Sequence, residues 1–151
     1  MPETASVAPA QAFGEYSIST DKQLLDVALI HEFLGRSYWS PGIPRAVVER
    51  GIANSLCFGV YHGRQQVGFA RVITDRATFA YLADVFIVEA HRARGLGRRL
   101  IGAILQHEDL QGLRRFLLAT RDAHSLYRAF GFTEVNATRL MEIHNPDPYV
   151  G

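Results

Sequence analysis

Arg92-Ala93-Arg94-Gly95-Leu96-Gly97 joins two contrasting runs. Tyr81 to Val88 before it is predominantly apolar, and from Leu96 to about Gln106 apolar residues recur at helical spacing. The turn between them therefore links a strand to the N-terminus of a helix. Such a turn gathers several free backbone N–H groups at one point, with the positive end of the helix dipole behind them. Phosphate-sized anions bind at such places. Gly95 and Gly97 allow close approach of the backbone, and Arg92, Arg94, Arg98 and Arg99 add positive charge. A phosphate-bearing cofactor is one reading of this turn. An ordinary glycine-containing loop with solvated arginines is the other.

The chain of 151 residues fits one domain able to bury a core. With 48% hydrophobic and 21% charged residues it reads as globular. Sixteen basic and fifteen acidic residues leave a net charge of +1, so no global field favours nucleic acid or a membrane surface. Any preference for anions is local. Cys57 is the single cysteine and sits in the apolar run Leu56-Cys57-Phe58-Gly59-Val60, as a buried strand residue would. No run of 18 apolar residues occurs, and no basic segment with an apolar core opens the chain. A cytoplasmic location is the expectation.

Met1 to about Phe13 is aperiodic and rich in Ala, Pro and Glu, which predicts disorder over residues 1–14 and a folded domain over 15–151. Tyr16 to Ser19 alternates as a short strand. Thr20 or Asp21 is placed to cap a helix reaching Leu34, and Ser37 to Pro44 reads as a loop before a short helix from about Arg45 to Ala53. Leu56–Tyr61 and Gln66–Thr74 make a hairpin around His62-Gly63-Arg64. Thr78–Val88 is a third strand of that meander, followed by the long helix from Gly95 to about Gln111. Arg115–Ala119 reads as a strand, Ala123–Phe130 as a helix ended by Gly131, and Arg139–Ile143 as a last strand. This order predicts an α/β (α+β) domain with a mixed central sheet of about six to seven strands and helices on both faces. The crossover from Thr78–Val88 to Arg115–Ala119 through a helix implies a parallel pair.

A second motif follows the later strand: Thr120-Arg121-Asp122-Ala123-His124-Ser125-Leu126-Tyr127-Arg128-Ala129-Phe130-Gly131-Phe132. Gly131 fits a helix C-cap with Phe132 packed back beneath it. Taken together, the Arg-x-x-Gly-x-Gly turn and this helix, about thirty residues apart and in this order, resemble the GNAT family of N-acetyltransferases. The resemblance extends from about Ser17 to His144 and implies a single GNAT-like domain that transfers an acetyl group from acetyl-CoA to an amine, with no metal. It assigns the pantetheine arm and thioester to backbone groups of Val85, Phe86 and Ile87, and the pyrophosphate to amides from Ala93 through Arg94, Gly95, Leu96 and Gly97 to Arg98. Arg92 would stiffen the loop. Thr120 stands where the family often has Asn, so it supplies a hydroxyl in place of an amide. Tyr127 would be the general acid, since a phenol of pKa about 10 stays protonated at neutral pH and can donate to a departing thiolate.

Asp84 is the carboxylate of the strand before the loop. It either orients the acceptor amine or takes its proton through water, or it is a structural partner of a nearby arginine. The polyamine-acetylating branch carries a carboxylate where Ala83 stands, and the histone-modifying branch has one nearer Tyr81, so neither substrate is favoured. Tyr38 and Trp39 lie where the family builds its acceptor pocket, and Arg71 and Asp75 could reach the same cleft. His124 is either a proton shuttle or a surface residue. The six histidines show no metal-ligand spacing. Expected partners are a small-molecule or peptide amine and, as for many relatives, a second copy in a homodimer.

A dinucleotide fold is disfavoured because Gly95-x-Gly97-x-x-Leu100 lacks the third glycine and lies mid-chain. An ATP-binding loop is disfavoured because no Gly-Lys-Ser/Thr follows. From another functional class, a non-catalytic acyl-CoA-binding sensor remains compatible with the absence of a carboxylate at Ala83.

Overall fold

Apolar side chains that alternate along a strand must be covered on both faces if both sets are large, and Leu56 to Thr74 meets that condition. In the computed structural model, which describes residues 10–149, this stretch is the centre of a six-stranded sheet. The strands are β1 Gln11–Phe13, β2 Tyr16–Ser19, β3 Leu56–His62, β4 Gln65–Thr74, β5 Phe79–Ile87 and β6 Arg115–Leu118, and they lie side by side in chain order. All neighbours are antiparallel except β5 and β6, which are parallel. Four helices cover the sheet: α1 Val27–Gly35, α2 Arg45–Ala53, α3 Leu96–Gln106 and α4 His124–Arg128.

One core layer joins Phe58, Val60, Val72 and Leu82 of the sheet to Leu100, Ile101 and Ile104 of α3 and Tyr127 of α4. The opposite layer joins Cys57, Phe69 and Phe86 to Ile30 and Leu34 of α1 and Val48 and Ile52 of α2. Burial pushes the Cys57 thiol up to about 11, so it stays a neutral packing group and no nucleophile.

Four expectations change. The helix expected from Thr20 or Asp21 is interrupted: Asp21 caps a 3-10 turn over Lys22–Leu24, and α1 starts only after Asp26. Asp26 accepts from the Leu29 N–H at 3.0 Å while its own N–H donates to Gln66 Oε1 at 2.6 Å, which anchors the second cap to β4. The long helix stops at Gln106, because His107 turns extended and accepts from the Asp109 N–H. Of the segment expected to be disordered, Gln11–Phe13 is an ordered edge strand paired with β2, while residues 1–9 lie outside the described residues. Arg139–Ile143 is not a strand. Asn136 accepts from the Thr138 N–H and starts a 3-10 turn over Ala137–Arg139, after which the chain runs on unpaired, with Met141 and Ile143 fully exposed.

Gly68 sits opposite Ile87 at the point where β5 leaves the sheet. A Cβ there would lie 3.0 Å from the Phe86 carbonyl oxygen and from Val60 Cβ, and 2.7 Å from Ile87 Cδ1. Gly68→Ala should therefore cost about 1–3 kcal/mol of stability, measured by urea unfolding, because backbone as well as side chain must give way.

Candidate functional site

Two parallel strands that share a ladder and then separate leave backbone groups without partners. β5 and β6 pair from Phe79↔Arg115 to Leu82↔Leu118, where β6 ends, while β5 continues to Ile87. From Ala83 onward the β6 side of β5 is therefore open. A cleft of about 1000 Å³ fills the gap, lined by Ala83 to Ile87 on one side and by Leu118 to Ala123 with Leu126 and Tyr127 on the other.

A β-bulge marks the same point. β4 and β5 pair at Phe69↔Phe86 and again at Arg71↔Ala83, so the single residue Ala70 faces two, Asp84 and Val85. The extra residue reverses the facing of the strand: Ala80 and Leu82 point into the α3 layer before the bulge, and Val85 and Ile87 do so after it. Asp84 takes the left-handed conformation, φ 57°, which is costly for a residue with a Cβ. Its side chain holds it there. One carboxylate oxygen accepts from Trp39 Nε1 at 2.9 Å and the other from Arg71 Nε at 2.8 Å, and Arg71 also donates to Ser55 Oγ. The arginine-paired arrangement is thus the one present for Asp84, in a side chain only 8% exposed.

At the far end of the cleft the chain crosses into α3. Arg92 Nε donates to the Ile87 carbonyl at 2.9 Å and ties the loop to the strand it leaves. Ala93, φ 63°, and Gly95, φ 76°, are both left-handed, and the first helical bond runs from the Arg99 N–H to the Gly95 carbonyl. The N–H groups of Leu96, Gly97 and Arg98 consequently have no acceptor within the helix. Arg92, Ala93, Gly95, Leu96 and Gly97 line the cleft, whereas the side chains of Arg94 and Arg98 are exposed outside it. A Cβ on Gly97 would meet nothing within 4 Å, so that side of the turn is open space.

The opposite wall comes from α4. Gly131, φ 96°, ends it, and the Phe132 N–H returns to the Tyr127 carbonyl at 3.2 Å, the glycine-capped ending that the sequence predicts. Phe132 packs edge-on against the Tyr127 ring and fixes it. Tyr127 is buried, yet it belongs to the cleft lining. Burial, then the nearby Tyr38 phenol, raises its pKa above the ordinary phenol value, so it is protonated at neutral pH. Thr120 Oγ1 accepts from the Ala123 N–H at 3.0 Å, which leaves the hydroxyl hydrogen free to donate into the cleft.

Tyr38 and Trp39, half exposed, form the mouth. The Arg121 guanidinium stacks on the Tyr38 ring at 3.8 Å from its centroid, which joins the loop after α1 to the loop after β6. Arg71 reaches the cleft, but Asp75 does not. It accepts from backbone N–H groups of Ala77, Thr78 and Phe79 and shapes the β4–β5 turn. His124 is exposed and outside the cleft lining.

Sequence reasoning missed Phe33, His91, Arg121 and Asp122 as lining residues. Phe33 stacks on Phe86 at 3.9 Å across the α1–β5 contact, a pairing that local sequence does not signal. His91 accepts or donates through Nδ1 to the Tyr16 hydroxyl at 2.9 Å, seventy-five residues away.

Residues 53–134 match the acetyltransferase (GNAT) domain. A curated acetyltransferase from Gibberella zeae is 34% identical over 76% of this chain and 76% of its own length. A solved GNAT acetyltransferase from Xanthomonas campestris pv. campestris is 49% identical, covers 93% of this chain and 100% of its own, and superposes with a TM-score of 0.88. An acetyltransferase from Clostridium acetobutylicum, solved with acetyl-CoA, shares the fold at 12% identity and a TM-score of 0.62 over 85% of this chain and 94% of its own. A parted parallel pair, an open helix N-terminus and a buried phenol in one cleft thus accompany a likeness that spans most of the sequence, and the chain belongs to the GNAT family of acetyltransferases.

Proposed function

We propose that this protein is an N-acetyltransferase that moves an acetyl group from acetyl-CoA to a primary amine of a small molecule or peptide by direct transfer. The observation that carries the reading is the single cleft in which unpaired backbone of β5, the open N-terminus of α3 and the Tyr127 phenol converge. Its size and its donors suit an extended thioester ligand with a diphosphate at one end. The Clostridium acetobutylicum neighbour, solved with acetyl-CoA, supports the same donor.

On this reading the amides from Ala93 to Arg98 hold the diphosphate, and Val85, Phe86, Ile87 and the Thr120 hydroxyl hold the pantetheine arm. A backbone N–H near Val85 stabilises the oxyanion of the tetrahedral intermediate, a contribution of about 3 kcal/mol for one well-placed donor. The neutral amine nitrogen attacks the acyl carbon, the carbon–sulfur bond breaks as Tyr127 gives its proton to the departing sulfur, and the surplus proton of the new amide nitrogen passes through water to restore the Tyr127 phenol. Asp84, held by Arg71 and Trp39, orients the amine with its remaining lone pairs, and Tyr38 and Trp39 line the acceptor's approach. A sensor that binds acyl-CoA without turnover is the second reading, favoured by the engagement of both Asp84 oxygens.

Tyr127→Phe should lower kcat at least about tenfold with little change in acetyl-CoA affinity, because only the proton is lost. Thiol release across an amine library measures the first quantity and calorimetry the second; unchanged turnover would remove Tyr127 from the chemistry. Binding without turnover for any amine would favour the sensor. Gly97→Glu places a carboxylate in the open space before the α3 amides and should weaken acetyl-CoA binding at least about a hundredfold with the helical circular dichroism retained. Retained affinity would move the diphosphate site elsewhere.

A further inference from the structure

The mouth of the cleft carries a guanidinium that the protein itself leaves unanswered. Among the described residues, Arg36, Arg45, Arg71, Arg76 and Arg128 each pair with a carboxylate, and Arg92 is tied to the Ile87 carbonyl. Arg121 lines the cleft and has no such partner among them; its side chain stacks on the Tyr38 ring, 3.8 Å from the centroid. The Arg121 backbone N–H also donates to the Tyr38 hydroxyl at 3.4 Å, so the two residues are joined twice. Stacking covers one face of the guanidinium and fixes its plane, while the N–H donors in that plane stay free. A rigid planar fork of that kind fits a carboxylate, whose two oxygens accept in parallel.

Arg121 belongs to the end of the cleft where the acceptor enters. It follows Thr120 in the loop after β6, and the Tyr38 phenol beneath it is near enough to Tyr127 to raise the pKa of that group. The unbonded N–H groups of the α3 N-terminus lie at the other end. Charge at the mouth is otherwise matched within the protein. Arg71 and Asp84 neutralise each other. Asp122, exposed in the same lining, forms no ion pair among the described residues. The mouth thus presents one free cation beside one free anion.

Given the acetyl transfer proposed for this cleft, we infer that the acceptor amine also carries a carboxylate, as an amino acid does, and that Arg121, positioned by Tyr38, selects it. Such a molecule arrives as a zwitterion. Its carboxylate answers Arg121, and its ammonium is matched by Asp122 until it loses the proton that blocks attack. A polyamine or a plain alkylamine would leave the guanidinium unpaired and gain nothing from it.

Trp39 is the single tryptophan of the chain, and its ring centroid lies 5.0 Å from that of Tyr38, so its emission reports on a ligand at Arg121. Glycine, phenylalanine and β-alanine are each titrated against the corresponding amide, with and without coenzyme A, and calorimetry gives a second readout. The acids should bind at least about tenfold more tightly than the amides, and Arg121→Gln should abolish that preference. Tyr38→Leu, which keeps the charge and removes the ring, should reduce it at least about threefold. No binding of any acid, equal binding of acids and amides, or a preference untouched by Arg121→Gln would each overturn the carboxylate site. Thiol release separates this site from the chemistry proposed above it. Acids that bind through Arg121 without being acetylated keep the carboxylate site and remove the acetyltransferase. Amides acetylated as efficiently as acids keep the acetyltransferase and remove the carboxylate site.

Discussion

The site depends on β5 being unable to remain paired with β6. Pairing is complete to Leu82, and two residues further the strand carries a surplus amino acid on its other side, at Asp84. A bulge bends the strand that contains it and increases the local twist, so β5 turns away from β6 where the latter ends. The opened backbone between Ala83 and Ile87 is a direct consequence. So is the position of the α3 N-terminus, which β5 delivers to the end of the same gap through a loop pinned by Arg92. A straight β5 would pair further along β6 and leave no cleft.

Keeping that bulge requires holding an aspartate at positive φ, and the energy comes from its side chain. Arg71 and Trp39 each bond one carboxylate oxygen, and they approach from different elements, β4 and the loop after α1. A carboxylate so enclosed is tolerable only because its charge is paired and its lone pairs are engaged. The trio therefore couples backbone geometry to the mouth of the cleft: the indole at the mouth also fixes the residue at the β5 bulge. Ala93, the other non-glycine residue at positive φ in the lining, strains the loop before α3 in the same way. Both strained residues lie in the cleft, where over-determined surroundings can maintain them.

Local signals disclosed much of this. The glycine turn after an apolar strand, the parallel crossover, the β3–β4 hairpin and the Gly131–Phe132 helix ending all rest on interactions within a few residues, and all are present in the fold. Asp84, Tyr127, Tyr38 and Trp39 could be singled out because they interrupt or decorate those elements. The broken first helix was hidden because Asp21 and Asp26 are both competent caps, and the choice between one helix and two pieces is made by Gln66, forty residues away. The last expected strand was hidden for a related reason: alternation shows that Leu140 to Ile143 can be extended, while pairing needs an edge that sequence cannot locate.

Short-range chemistry in the chain alone thus determined most of the elements and their order, the glycine turn that links β5 to α3 and the presence of a phenol in the following helix. Only the tertiary structure decided that Asp84 is bound by Arg71 and Trp39, that Phe33, His91 and Arg121 line the cleft, and that β6 keeps an open edge. Turns, caps and hydrophobic periodicity are set by neighbours within about four residues. Cross-sheet ion pairs, aromatic stacks and strand partners depend on register between distant segments, which exists only once the sheet has formed.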